Sequence, residues 1–221
     1  DPANRWLARG PRFRLQAEFL RDQALAASGL LVPKIGGPSV KPYHPPGLYE
    51  QVVAGSSAST YLQDHDESLY RRSLYTYWKR SVPNPAMLVF DAPFRESCAP
   101  RRSRTNTPLQ ALNLMNDPTY LEASRFLAER MLVEAGPSVT DRLGLGVRLV
   151  LGRSPGPVER AVLEAAFQRE RVAFASDPKS AAELLEVGER RNRAGLDPAE
   201  LAAYTVVASI LLNLDETVTK E

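Results

Sequence analysis

A chain of 221 residues, 43% of them apolar, can bury a real core, as one large domain or two small ones. A net charge of +2 argues against a nucleic-acid binder, and one cysteine excludes an internal disulfide. The basic character is concentrated around residues 71–104, which points to an anionic ligand or to internal carboxylates.

Pro11 to Ser28 predicts a first helix, with Pro11 in its first turn and Gly29 as its C-terminal cap. Leu15, Phe19 and Ala26 repeat at helical spacing, and Arg12, Arg14, Glu18, Arg21 and Asp22 form the wet side. The proline and glycine density from Val32 to Thr60 forbids a long helix and predicts an ordered loop, pinned by Tyr43, Leu48 and Tyr49. A short helix fits at Pro46–Val53. Asp66 to Arg80 reads as a helix capped by Asp66, with Tyr70, Leu74, Tyr77 and Trp78 on one side. A strand competes there, because Leu74 to Trp78 is rich in strand formers.

The segment Phe90 to Pro118, FDAPFRESCAPRRSRTNTPLQALNLMNDP, is the chain's most distinctive stretch. It is non-periodic and basic until Thr107-Pro108 opens a helix to Asn116. Beyond it, Asp117-Pro118, Asp177-Pro178 and Asp197-Pro198 each set a capping carboxylate before a proline at the first helical position. Helices are predicted at Pro118–Ala135, Val139–Leu151, Pro157–Ala175, Pro178–Val187 and Pro198–Asn213, with Gly136, Gly152 and Gly188 at three of their ends. Glu189 to Gly195 reads as an exposed polar turn. The run Leu201 to Leu214, interrupted by Tyr204, Thr205, Ser209 and Asn213, is too short to span a bilayer and reads as a buried core helix. The expected fold is therefore mainly α: an irregular helical domain with a long Pro/Gly-rich ordered loop, a C-terminal array of about five helices and a small strand pair. It is read as one domain, 1–221, with a loop-rich half (1–116) and a helical half (117–221).

No Gly-rich phosphate loop, paired-cysteine zinc motif or haem-attachment C-x-x-C-H occurs, so no catalytic or metal-ligating residue is assigned. Asp64 and His65 form a candidate polar site, an imidazole beside carboxylates; Asp66 is equally explained as a helix cap. Cys98 with His44 or His65 is a weaker candidate for a thiolate pair, since structural cysteines are commonly buried. The basic segment has three readings. Arg101, Arg102 and Arg104 can fork onto Asp91, Glu96, Asp117 and loop carbonyls as a polar strut. Arg95, Arg101, Arg102, Arg104, Asn106 and Gln110, with the amides opening the helix at Thr107, can bind an anion such as a sulfated or carboxylated glycan. The segment can also dock another domain of a longer chain. The strut is favoured because arginine loops often only tie a fold together.

RRSLYTYWKR (71–80), FDAPFRESC (90–98), RRSRTNTPLQALNLMNDP (101–118) and LLNLDETVTK (211–220) resemble the planctomycete-specific C-terminal domain, domain one. DPANRWL (1–7), LRDQALAASGLL (20–31) and KIGGPSVKPYHPPGLYE (34–50) extend the likeness over essentially the whole chain. The resemblance implies a domain of unknown function closing a large exported protein, periplasmic or extracellular. It would follow a signal peptide, a cytochrome c-like domain and a second planctomycete-specific domain, and the sequence, opening at Asp1 without Met, is read as excised from such a chain. Haem is then expected only in the upstream domain and no cofactor in this fragment. The expected role is an interaction or ligand-binding module without activity in isolation, its partners the upstream domain and an anionic glycan, linked to polysaccharide use. The rivals are a composite active site shared with the upstream domain, gathering Arg101, Arg104, Asn106, Gln110, Asp64 and His65, and a purely structural cap.

Overall fold

The computed structural model describes residues 4–10, 12–49 and 61–220. Among them are nine α-helices: α1 (Ala17–Ser28), α2 (Pro85–Val89), α3 (Pro108–Asn116), α4 (Pro118–Glu134), α5 (Val139–Leu151), α6 (Pro157–Ser176), α7 (Pro178–Leu185), α8 (Pro198–Leu212) and α9 (Asp215–Val218). Strands β1 (Phe13–Arg14) and β2 (Thr219–Lys220) pair antiparallel, Phe13 opposite Lys220 and Arg14 opposite Thr219.

The local chemistry of the helical half does what its sequence dictates. Asp117 accepts from the Thr119 amide, Asp177 from Ser180 and Asp197 from Glu200, each before a proline at the first helical position. The carboxylate satisfies a donor that has no partner inside the helix. Gly152 ends α5 in the left-handed conformation, φ 74°, as Gly29 ends α1 at φ 77°. Helix α8 is buried nearly all round, from Leu201 to Leu212, and packs chiefly against α4, α6 and α7. Its Tyr204 ring stacks on Phe167 of α6 at 4.2 Å. Each such fully buried apolar side chain contributes about 1.5–3 kcal/mol. Helix α1 also packs against α4 and couples the loop-rich half to the array.

The loop-rich half departs from the sequence expectation at α1, at residues 66–80 and at the unforeseen helix α2. Helix α1 starts at Ala17, because Phe13–Arg14 is drawn into the pairing with β2 and the Leu15 amide donates to the Val218 carbonyl. The place expected for Pro11 lies outside the described residues. The wet side of α1 is also revised: Arg21 is buried and Phe19 is 54% exposed.

Residues 66–80 form neither a long helix nor a strand. They make two 3-10 turns, Asp66–Tyr70 and Ser73–Tyr75, stitched to the preceding loop by isolated bridges Val32–Arg71 and Val40–Thr76. Asp66 does not cap; it is the first residue of its turn at φ 54°. Leu74, expected on the buried side, is 72% exposed, whereas Tyr70 is buried. Of the helix expected at Pro46–Val53, residues 50–53 lie outside the described residues, and Leu48 and Tyr49 are helical. Arg71 holds the loop it faces, donating to the carbonyls of Lys34, Gly36 and Pro38 and lying 4.0 Å over the Tyr75 ring.

Candidate functional site

The basic segment divides into side chains that turn inward and side chains that turn out. Arg102 turns in: it donates to Gln16 at 2.9 Å and to the Glu18 carboxylate at 2.8 Å, fastening the segment to the start of α1. These are not the carboxylates expected from sequence. Gln110, almost fully buried on α3, donates to the Val89 carbonyl and to the Thr105 hydroxyl, and accepts from Arg14 at 2.8 Å. The Thr105 amide and hydroxyl in turn donate to Asp91 at 2.7 and 2.9 Å. The T-N-T-P-L-Q run is thus a turn tied at Thr105 and Gln110. Beside it the space lined by Arg14, Asp91, Arg102, Arg104 and Gln110 is about 10 Å³, room for one water rather than a ligand.

Arg95, Arg101, Arg104 and Asn106 are exposed. Arg95 lies 4.6 Å over the Trp78 ring and Arg104 6.0 Å over Phe13. Among the described residues, no carboxylate pairs with Arg95, Arg101 or Arg104. Cys98 is exposed. His44 packs on the Tyr49 and Tyr61 rings at 5.0 and 4.7 Å.

Asp64 and His65 face different partners. Asp64 accepts from the Lys41 amide at 2.8 Å, while His65 Nδ1 lies 2.6 Å from Glu189, whose other oxygen takes the Asp66 amide at 2.7 Å. None of these contacts joins the pair to the arginine segment. An open groove of about 490 Å³ runs beside them, lined by Leu30, Val32, Glu67, Tyr70 and Arg190 among others.

The bond to Glu189 raises the His65 pKa above 6.5. Desolvation opposes the shift at Glu189, but the Asp66 amide and His65 together hold its carboxyl below 4.5. The pair's contribution is therefore complete below pH 6.5 and fades as pH rises through the raised histidine value; on the acid side it is lost as pH falls through the lowered Glu189 value. Titration of the His65 ring by NMR is expected to show this raised value, and Glu189→Gln to return it to the ordinary range. An unshifted His65 in the unsubstituted protein contradicts the contact.

The most buried polar cluster is one the sequence reading missed. On α4, Glu122 and Arg125 are each 1% exposed. Glu122 accepts from the Tyr43 and Tyr70 hydroxyls, both at 2.9 Å, and from the Arg190 amide at 2.8 Å. Burial first, then the Glu122 charge, pushes both tyrosine hydroxyls well above their ordinary pKa. Arg125 donates to the carbonyls of Val187 and Arg190 and to Asn192, and Glu129 takes the Arg193 amide. Glu122, Arg125 and Glu129 share one face of α4, so one stripe fastens the loop after α7. Arg21, donating to the carbonyls of Leu69 and Arg71, and Arg130, donating to Ala27, do the same elsewhere. The available signal was an alternating-charge stripe within a helix otherwise rich in buried apolar positions. The expected polar turn 189–195 is held at its backbone by these groups, although most of its side chains are exposed.

The model of the PSD1 family, described as "Protein of unknown function (DUF1553)", matches residues 1–167. No curated protein matches the chain, and neither does any solved structure. The family match ends within α6, short of the closing LLNLDETVTK motif, yet it takes in the tied Thr105–Gln110 turn, the inward-facing Arg102 and the Glu122–Arg125 stripe. With 167 of 221 residues matched, the chain belongs to the PSD1 family.

Proposed function

We propose that this domain is a non-catalytic interaction module of a longer, exported, cytochrome c-bearing protein, docking its upstream domain through α3 and the outward-facing arginines. The supporting observation is the outer face of α3. Leu109, Leu112 and Met115 are 57, 55 and 51% exposed, while the inner face buries Gln110 and Leu114. A contiguous apolar helix face rimmed by polar residues marks a surface on which another protein surface docks. Arg101 and Arg104, which lack carboxylate partners among the described residues, precede it directly, so the fitting partner is an apolar patch rimmed by acidic side chains. The exported, cytochrome-bearing context rests on the resemblance of the sequence motifs.

Hydroxyl-radical footprinting tests the docking. Leu109, Leu112 and Met115 are expected to be labelled several-fold less in the longer chain than in the isolated 221-residue domain. Equal labelling of the two forms counts against docking by this face. An anionic glycan is the second reading, favoured by the same unpaired guanidiniums and by the link to polysaccharide use. It predicts that added polygalacturonate shields Arg101 and Arg104 from phenylglyoxal while leaving Met115 labelling unchanged.

A further inference from the structure

Helix α6 carries a second bare face, on the opposite side from α8, and its pattern is complementary to itself. Its inner face buries Leu163, Ala166 and Phe167. Its outer face presents Val158, Val162 and Val172, which are 78, 62 and 69% exposed, with Ala161, Ala165, Gln168 and Ala175 exposed on the same face. Val158, Ala165 and Val172 recur every seventh residue, and Ala161, Gln168 and Ala175 fill the intermediate positions at the same interval. This is the spacing at which two helices pack along a seam. In a monomer the three valines have no reason to be aligned.

We infer that α6 is a self-association seam, on which a second copy of this chain packs its own α6 antiparallel about a two-fold axis. The residue order supports this occupant over an unrelated helix. With Ala165 set against Gln168 of the second copy, Val158 meets Ala175 and Ala161 meets Val172, so each outer layer fits a large side chain to a small one. The same register brings Glu164 beside Arg171 of the second copy, twice by symmetry. Both groups are available. Glu164 uses one oxygen on the Thr140 hydroxyl at 2.8 Å, leaving the other, and Arg171 is exposed with no ion-pair partner among the described residues. Val162 then faces the aliphatic stem of Arg169. From Val158 to Ala175 the seam is about 27 Å long at 1.5 Å per residue. An interface of this size lies at the small end of specific contacts, so a reversible dimer with Kd on the order of 10 μM is expected.

Sedimentation velocity of the 221-residue chain between about 1 and 300 μM, a range that brackets that Kd, is the test. The unsubstituted chain is expected to shift from monomer to dimer. Val172→Glu, at an exposed position that leaves the melting temperature unchanged, is expected to weaken association at least tenfold. Glu164→Arg and Arg171→Glu are each expected to weaken it several-fold, and the double swap to restore it. A monomer at every concentration overturns the inference, and so does a dimer indifferent to Val172→Glu. Failure of the double swap to recover affinity overturns the antiparallel register. None of these outcomes bears on α3, which lies on a different helix.

Discussion

Arg125→Ala is expected to lower the stability of the domain by about 3–5 kcal/mol, the cost of breaking a buried ion pair from one side. For a domain of this size that is a fall in Tm on the order of 10 °C. Three losses combine. Glu122, 1% exposed, keeps its two tyrosine hydroxyls and the Arg190 amide but loses its nearest cation. The carbonyls of Val187 and Arg190 lose their donor, and a cavity the size of a guanidinium opens beside α4. The loop 186–196 should then be cleaved faster by protease, because Arg125 holds two of its carbonyls. Urea unfolding and the rate of cleavage in that loop are the measurements. A loss below about 1 kcal/mol with the loop still protected sinks the assignment. The contrast is Arg104→Ala: an exposed guanidinium whose described contact is 6.0 Å from the Phe13 ring should change stability by no more than about 0.5 kcal/mol. Arg21, Arg71, Arg125 and Arg130 are among the arginines that hold this fold together, and of Arg95, Arg101, Arg102 and Arg104 only Arg102 joins them.

That contrast explains what could be read from the sequence and what could not. The helical half was legible because most of its signals are local: an aspartate cap with a proline behind it opens three of the helices and Gly152 closes another, whereas Ala135 and Glu186, not the expected Gly136 and Gly188, are the C-caps of α4 and α7. The helix at Pro108–Asn116 was legible from the proline at its first position. Residues 66–80 were not, since their backbone is satisfied by Val32 and Val40, far back in the chain, and no local pattern announces such a partner. The candidate site failed in the same way. Sequence proximity grouped Arg101, Arg102 and Arg104, but the fold sends one inward to Glu18 and leaves two outside. Asp64 and His65 are neighbours in sequence, yet the partner of His65 is Glu189, 124 residues later. Charged residues on a helix are assigned to solvent by default, so Glu122 and Arg125 were passed over; their burial depends on loops that only tertiary structure brings over them.

Gly188→Ala is expected to cost about 3 kcal/mol or more, although the change adds only a methyl group. Two effects act at that position. The backbone has φ +94°, a conformation that L side chains rarely adopt, costing about 1–2 kcal/mol. The new Cβ would also lie 2.5 Å from Glu122 Cδ and 2.7 Å from its Oε1. The carboxylate cannot step aside, because two tyrosine hydroxyls and the Arg190 amide fix its oxygens. Either Glu122 gives up some of those bonds or the loop lifts away from α4. Gly195, at the far end of the same loop, separates the two effects: its φ is +88°, and a Cβ there meets nothing within 4 Å. Gly195→Ala should therefore show the backbone cost alone. The difference between the two variants in urea unfolding measures the collision with Glu122, and equal losses would mean that the Glu122 cluster yields freely and does not fix the loop.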